Sequence, residues 1–119
     1  MSGNGPRVMY LILRYDLLSK LQWPLGALVT QAAHAATACL WTYKDDPDVI
    51  EYMDDIEHMR KVALKVDNED ELQQLHKKLD DAKIDHRVWI EDDMAVCIAV
   101  KPQPRSTVSK HLKSYSLFP

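Results

Sequence analysis

Cysteine is scarce in this chain of 119 residues, with only Cys39 and Cys97, and each stands alone in apolar surroundings. That excludes a disulfide-stapled secreted domain and predicts two buried, reduced thiols in a cytoplasmic protein. No apolar run approaches the ~20 residues of a membrane span, so no membrane partner is expected. The first residues, Met1 to Pro6, are small and polar and lack the apolar core of an export signal. Residues 1–7 are expected to be a flexible lead-in to a single domain over 8–119. No set of His, Cys and carboxylate residues stands at metal-ligand spacing, so the sequence implies no metal and no cofactor. His58, His76 and His86 read as surface or partly buried histidines without a constellation. Repeats and low-complexity segments are absent too.

An overall basic charge is also missing, since the net charge is −3. The distribution says more. Residues 45–100 carry 17 acids and 7 bases, whereas residues 101–119 carry Lys101, Arg105, Lys110 and Lys113 with no acid. Arg7, Arg14, Lys20 and Lys44 face only Asp16 at the other end of the chain. If the two ends meet, one pole is basic and could steer an anion such as a nucleic-acid phosphate. The rival reading is a set of solvated surface charges.

What is present is a regular alternation of elements. Val8 to Leu13 is a continuous apolar run, too short for a helix, and reads as a strand buried on both faces. Residues 17–25 form a loop or short turn. A helix is expected from about Gly26 to Tyr43, and Asp46-Pro47 caps a second. Val62, Leu64 and Val66 alternate in a strand. Asn68 to Glu71 is a capping-box variant opening a third helix, with Leu72, Leu75 and Leu79 inward. Residues 84–90 and 94–100 form a hairpin about Glu91-Asp92-Asp93, and a last helix covers about 105–114. The result is an α/β domain: one four-stranded mixed sheet with helices on both faces. A homodimer is left open.

The helix from Gly26 is rich in alanine and carries two large polar hydrogen-bonding side chains, Gln31 and His34, three apart on one face. Small neighbours at Ala27, Ala35 and Ala38 keep that face low. It is either a place for a substrate or a helix packed tightly against a sheet.

These residues resemble the type 2 peptidyl-tRNA hydrolase family. The first strand ends Arg14-Tyr15-Asp16-Leu17, and the helix carries Thr30-Gln31-Ala32-Ala33-His34-Ala35-Ala36. The similarity runs over about residues 8–118, and Trp23-Pro24 through Val29, Cys97 to Ala99 and Leu117-Phe118 are similar to a divergent branch. The resemblance implies hydrolysis of the ester between a peptide and the 3′ end of tRNA, with tRNA or peptidyl-tRNA as partner. It implies His34 as base, Gln31 as donor or water-positioning group, and Asp16 as the carboxylate that orients His34. Backbone N–H groups at Gly26 and Ala27 would take a phosphate or oxyanion. Lys20, Arg105, Lys110 and Lys113 would hold the acceptor arm. Asp92 alone matches an Asp-Ala-Gly-Arg-Thr-Gln loop of typical members. Pro24, Leu25, Gly26 and Ala27 stand where those members carry Gly-Lys-Gly-Lys. The alternative implied by that loss is a member of the fold that binds RNA or a protein without hydrolysis. A further alternative is a small ligand-sensing module over about residues 60–100.

Overall fold

The computed structural model describes residues 5–119. Strand β1 (Arg7–Arg14) occupies the middle of the sheet, in the order β2-β1-β4-β3. It runs parallel to β2 (Lys61–Val66) and antiparallel to β4 (Met94–Val100), which pairs antiparallel with β3 (His86–Glu91). The expected four-stranded mixed sheet is therefore present. A two-residue strand, β5 (Gln103–Pro104), adds to it by pairing with the start of β1. Residues 1–4 of the expected lead-in lie outside the described residues, while Arg7 already belongs to β1.

The apolar run of β1 is covered on both sides. Val8, Tyr10 and Ile12 join a core with Leu72, Leu75 and Leu79 of α4 (Glu69–Asp81) and Val108 and Leu112 of α5 (Arg105–Leu112). Met9, Leu11 and Leu13 point the other way, into a core with Leu28, Ala35, Ala36 and Cys39 of α2 (Leu25–Thr42). Leu17 of the short α1 (Asp16–Ser19) and Tyr52 of α3 (Pro47–Asp54) complete that second layer. Period-two alternation along a fully buried strand thus assigns the helices to opposite faces. The segment expected as a loop or short turn over 17–25 opens with one helical turn, α1, in which Lys20 and Leu21 N–H groups donate to Asp16 O. β3 starts at His86 rather than at Ile84, and α5 stops at Leu112.

Local chemistry sets the boundaries. Asn68 caps α4 through Glu71 N–H. The other end of α4 is a Schellman closure: Ile84 N–H bonds Leu79 O, Lys83 N–H bonds Asp80 O, and Lys83 takes φ 58°. The hairpin between β3 and β4 has two central residues, Asp92 and Asp93, at φ 51° and 62°. Those are the dihedrals of a type I′ turn, which aspartate tolerates.

Charge is consumed in holding the layers together, which corrects the reading of a single basic pole. Arg7 pairs with Asp48 and Glu51 of α3. Lys101, 8% exposed, places Nζ 2.9 Å from Asp46 and 3.4 Å from Asp85. Desolvation opposes ionisation of Asp46. Hydrogen bonds from Lys101 and from Asp48 N–H outweigh it and hold its carboxyl below the ordinary 3.8. Desolvation likewise opposes the Lys101 charge, but Asp46 and Asp85 raise it above 10.5. The pair therefore stabilises the fold fully between those ordinary values. Its acid-side contribution is lost as pH falls through the depressed Asp46 value, and its base-side contribution as pH rises through the raised Lys101 value. Asp46→Ala, which also removes the cap of α3, should cost about 1–2 kcal/mol in urea unfolding at pH 7. The gap to the unsubstituted chain should narrow below pH 4.

Candidate active site

Helix α2 begins directly after Trp23-Pro24, with Pro24 as N-cap residue and no side-chain cap. Alanine propensity carries it for 18 residues. Thr30 and Thr42 hydroxyls fold back onto the carbonyls of Gly26 and Ala38, which satisfies them within the helix. Ala35, Ala36 and Cys39 are buried against the sheet, so α2 lies close over β4 and β3. Both readings of the alanine face are thus partly realised: its small residues pack, and its polar pair sits at the margin.

Gln31 is 7% exposed, and His34, three residues on, is exposed. Both meet Trp89 of β3. The Trp89 indole N–H donates to Gln31 Oε1 at 2.9 Å. The His34 ring lies 5.1 Å from the Trp89 ring, tilted by 31°. An indole N–H can only donate, so the carbonyl end of the carboxamide is held inward and the NH₂ end faces the other way. Among the described residues no buried side-chain nitrogen or oxygen lacks a partner, and that NH₂ makes no hydrogen bond, so it touches solvent. One indole therefore fixes a carboxamide with its donors outward beside an accessible imidazole. Trp89 sits level with Leu13 across β4, because Leu13 pairs with Cys97 and Cys97 with Trp89.

The carboxylate expected to orient His34 is engaged elsewhere. Asp16 receives Arg14 through two hydrogen bonds, Nε to Oδ1 at 3.0 Å and NH2 to Oδ2 at 2.9 Å. Arg14 also donates to Ala95 O, whose N–H bonds Glu69. Arg14 and Asp16 thus tie the end of β1 to the start of β4. Asp92 is an exposed hairpin-turn residue and makes no hydrogen bond among the described residues. Ala27 N–H is taken by Pro24 O at 3.0 Å, which leaves Gly26 as the freer of the two expected backbone donors. Gly26 is not required for space, since a Cβ there meets nothing within 4 Å.

Arg105, Lys110 and Lys113 lie on or just after α5, on the sheet face opposite α2, so they do not flank Gln31 and His34. Lys20 is exposed at the end of α1. None of these four makes an ion pair among the described residues, unlike Arg7, Arg14 and Lys101. Trp23 packs onto the α2 core layer. Leu13, Leu28, Ala32 and Phe118 line an apolar hollow of about 330 Å³ beside the first turns of α2. Both thiols are buried, and burial pushes each up to about 12, so neither is a nucleophile at neutral pH.

Two groups escaped the sequence reading. Trp89 is one; it lies 58 residues from Gln31, and only alternation on β3 placed it on the α2 side of the sheet. The other corrects the expectation that no metal-ligand cluster exists: His76, Asp80 and His86 come together. His76 and Asp80 share a helix face at i, i+4, which was the available signal.

The family described as "Peptidyl-tRNA hydrolase PTH2" matches residues 7–118. The chain belongs to that family. Relatives from Homo sapiens and Mus musculus, each named "Putative peptidyl-tRNA hydrolase PTRHD1", are 43% identical over 122 residues. The matches cover 98% of this chain and 87% of each relative. Among the described residues no helix is long and apolar enough to cross a membrane.

Trp89→Phe keeps the ring but leaves Gln31 Oε1 without its donor. It should cost about 1–2 kcal/mol in urea unfolding. His34→Ala, at an exposed position, should stay within about 0.5 kcal/mol.

Proposed function

We propose that this member of the peptidyl-tRNA hydrolase family hydrolyses the ester between a peptide and the 3′ end of tRNA. His34 and Gln31 form the reacting pair, and Trp89 positions both. The supporting observation is the single indole that bonds one and stacks on the other. His34 takes a proton from water as the water oxygen attacks the ester carbonyl. The outward NH₂ of Gln31 donates to the developing oxyanion. The tetrahedral species then collapses, the bond from the carbonyl carbon to the ribose oxygen breaks, and His34 returns its proton to that oxygen. No part of the scheme requires Asp16 as a third member, since Trp89 supplies the orientation. The apolar hollow beside α2 gives room for an apolar side chain of the peptide. Gly26 at the start of α2 and the unpaired Lys20 after α1 are the groups offered for the RNA backbone.

A second reading rests on one specific feature. Leu25 and Ala27 stand at the helix start where the typical pattern has its two lysines, and Leu25 is 63% exposed. A fold with RNA or protein binding and no turnover would have that form. The two readings separate in one assay. Purified protein should release peptide from N-acetyl-aminoacyl-tRNA. His34→Ala should lower the rate by ~100-fold and Gln31→Ala by a comparable factor. Lys20→Glu should weaken RNA binding and flatten its salt dependence. Salt-sensitive RNA binding without any turnover would select the second reading.

A further inference from the structure

Away from α2, on the other face of the sheet, α4 and β3 bring two imidazoles and a carboxylate to one point. The Schellman closure at Lys83 reverses the chain, so His86 at the start of β3 returns against His76 and Asp80 of α4. His86 Nε2 lies 2.7 Å from His76 Nδ1 and 3.8 Å from Asp80 Oδ1. His76 Nε2 lies 3.6 Å from Asp80 Oδ2. One ligand atom from each residue can be chosen so that all lie within 4.8 Å of one another.

The tautomer of His86 is the deciding detail. Its side chain is 3% exposed, and its Nδ1 lies 2.7 Å from Ile84 O. A carbonyl oxygen can only accept, so Nδ1 carries the proton. The neutral ring then turns the lone pair of Nε2 outward, toward His76 and Asp80. A backbone carbonyl that fixes one ring nitrogen and frees the other is the arrangement found behind metal-ligating histidines. We propose that His76, Asp80 and His86 bind a borderline divalent cation, Zn²⁺ being the best match to two nitrogens and one oxygen. Water completes the shell. Ligand atoms about 2.0–2.1 Å from Zn²⁺ stand about 3.3 Å apart in a tetrahedron. The two ring nitrogens must therefore spread slightly and the Asp80 oxygen close slightly. The side chains that move are the accessible ones, His76 at 39% and Asp80 at 62% exposure. The His76 proton shifts from Nδ1 to Nε2, which frees the Nδ1 lone pair for the cation. The site clamps the end of α4 onto β3, three residues before Trp89, and it stands independently of the hydrolase reading.

The test is calorimetric titration of the full chain, reduced and metal-free, with ZnCl₂. One Zn²⁺ per chain is expected, with a rise in thermal midpoint. His76→Ala and Asp80→Asn, both at accessible positions, should each weaken binding ~10-fold or more. His58→Ala should leave affinity unchanged; it removes the exposed His58–Asp55 pair, the rival surface site. MgCl₂ should give no comparable heat, because Mg²⁺ prefers an all-oxygen octahedron. Absence of Zn²⁺ binding would overturn the proposal. So would an affinity that His76→Ala and Asp80→Asn leave unaltered, or one abolished by His58→Ala.

Discussion

Because β1 has no solvent face, every side chain from Val8 to Leu13 must find cover, with Tyr10 and Ile12 under α4 and α5, and Leu11 and Leu13 under α2. Two layers of helix are the direct consequence. Polar groups can enter only at the strand's ends, and there they arrive already paired. Arg7 meets α3 at one end, and Arg14 meets Asp16 and β4 at the other. A buried guanidinium needs such partners, and removing one of them would leave a costly uncompensated charge. The same constraint shapes α2. A helix lying over this sheet with Ala35, Ala36 and Cys39 beneath it sits low enough for Trp89, on the edge strand, to reach its side. The candidate site is thus a by-product of close packing at the margin of a fully covered sheet.

That placement accounts for the division of labour proposed for the site. Gln31 is buried enough to be held by one directional bond, while His34 stays open to solvent. A donor aimed at developing charge works best when its orientation is settled before the reaction. A general base must remain reachable by water and substrate. In the proposed reaction the indole serves both requirements from one position. In the family pattern a carboxylate was expected to orient the imidazole. Here Asp16 is committed to Arg14, and an aromatic ring lies against His34 instead.

The elements themselves were legible in the sequence because their signals are local. The apolar run of β1, the alanine helix, the Asp46-Pro47 start and the Asn68 cap all predict what forms. Gln31 and His34 were legible from helical spacing alone. What was not legible depends on which sheet face an element covers. Arg105, Lys110 and Lys113 read as flanking the site until the register put Val108 and Leu112 against the even-numbered side of β1. Trp89 carried no local sign of its role, since its partners lie in α2 across the sheet. His76 and His86 read as unrelated because a left-handed turn at Lys83, in a residue that is not glycine, reverses the chain between them. Long-range pairing and turn handedness, not residue type, decided each of these.

The central claim is that Trp89 organises a reacting pair. The most direct test is the single-turnover rate of peptide release from saturating N-acetyl-aminoacyl-tRNA, comparing Trp89→Phe with the unsubstituted chain. The rate constant should fall ~10-fold or more, as a loosened oxyanion donor requires, while RNA affinity stays the same. An unchanged rate constant for Trp89→Phe, or no turnover by the unsubstituted chain, would contradict it.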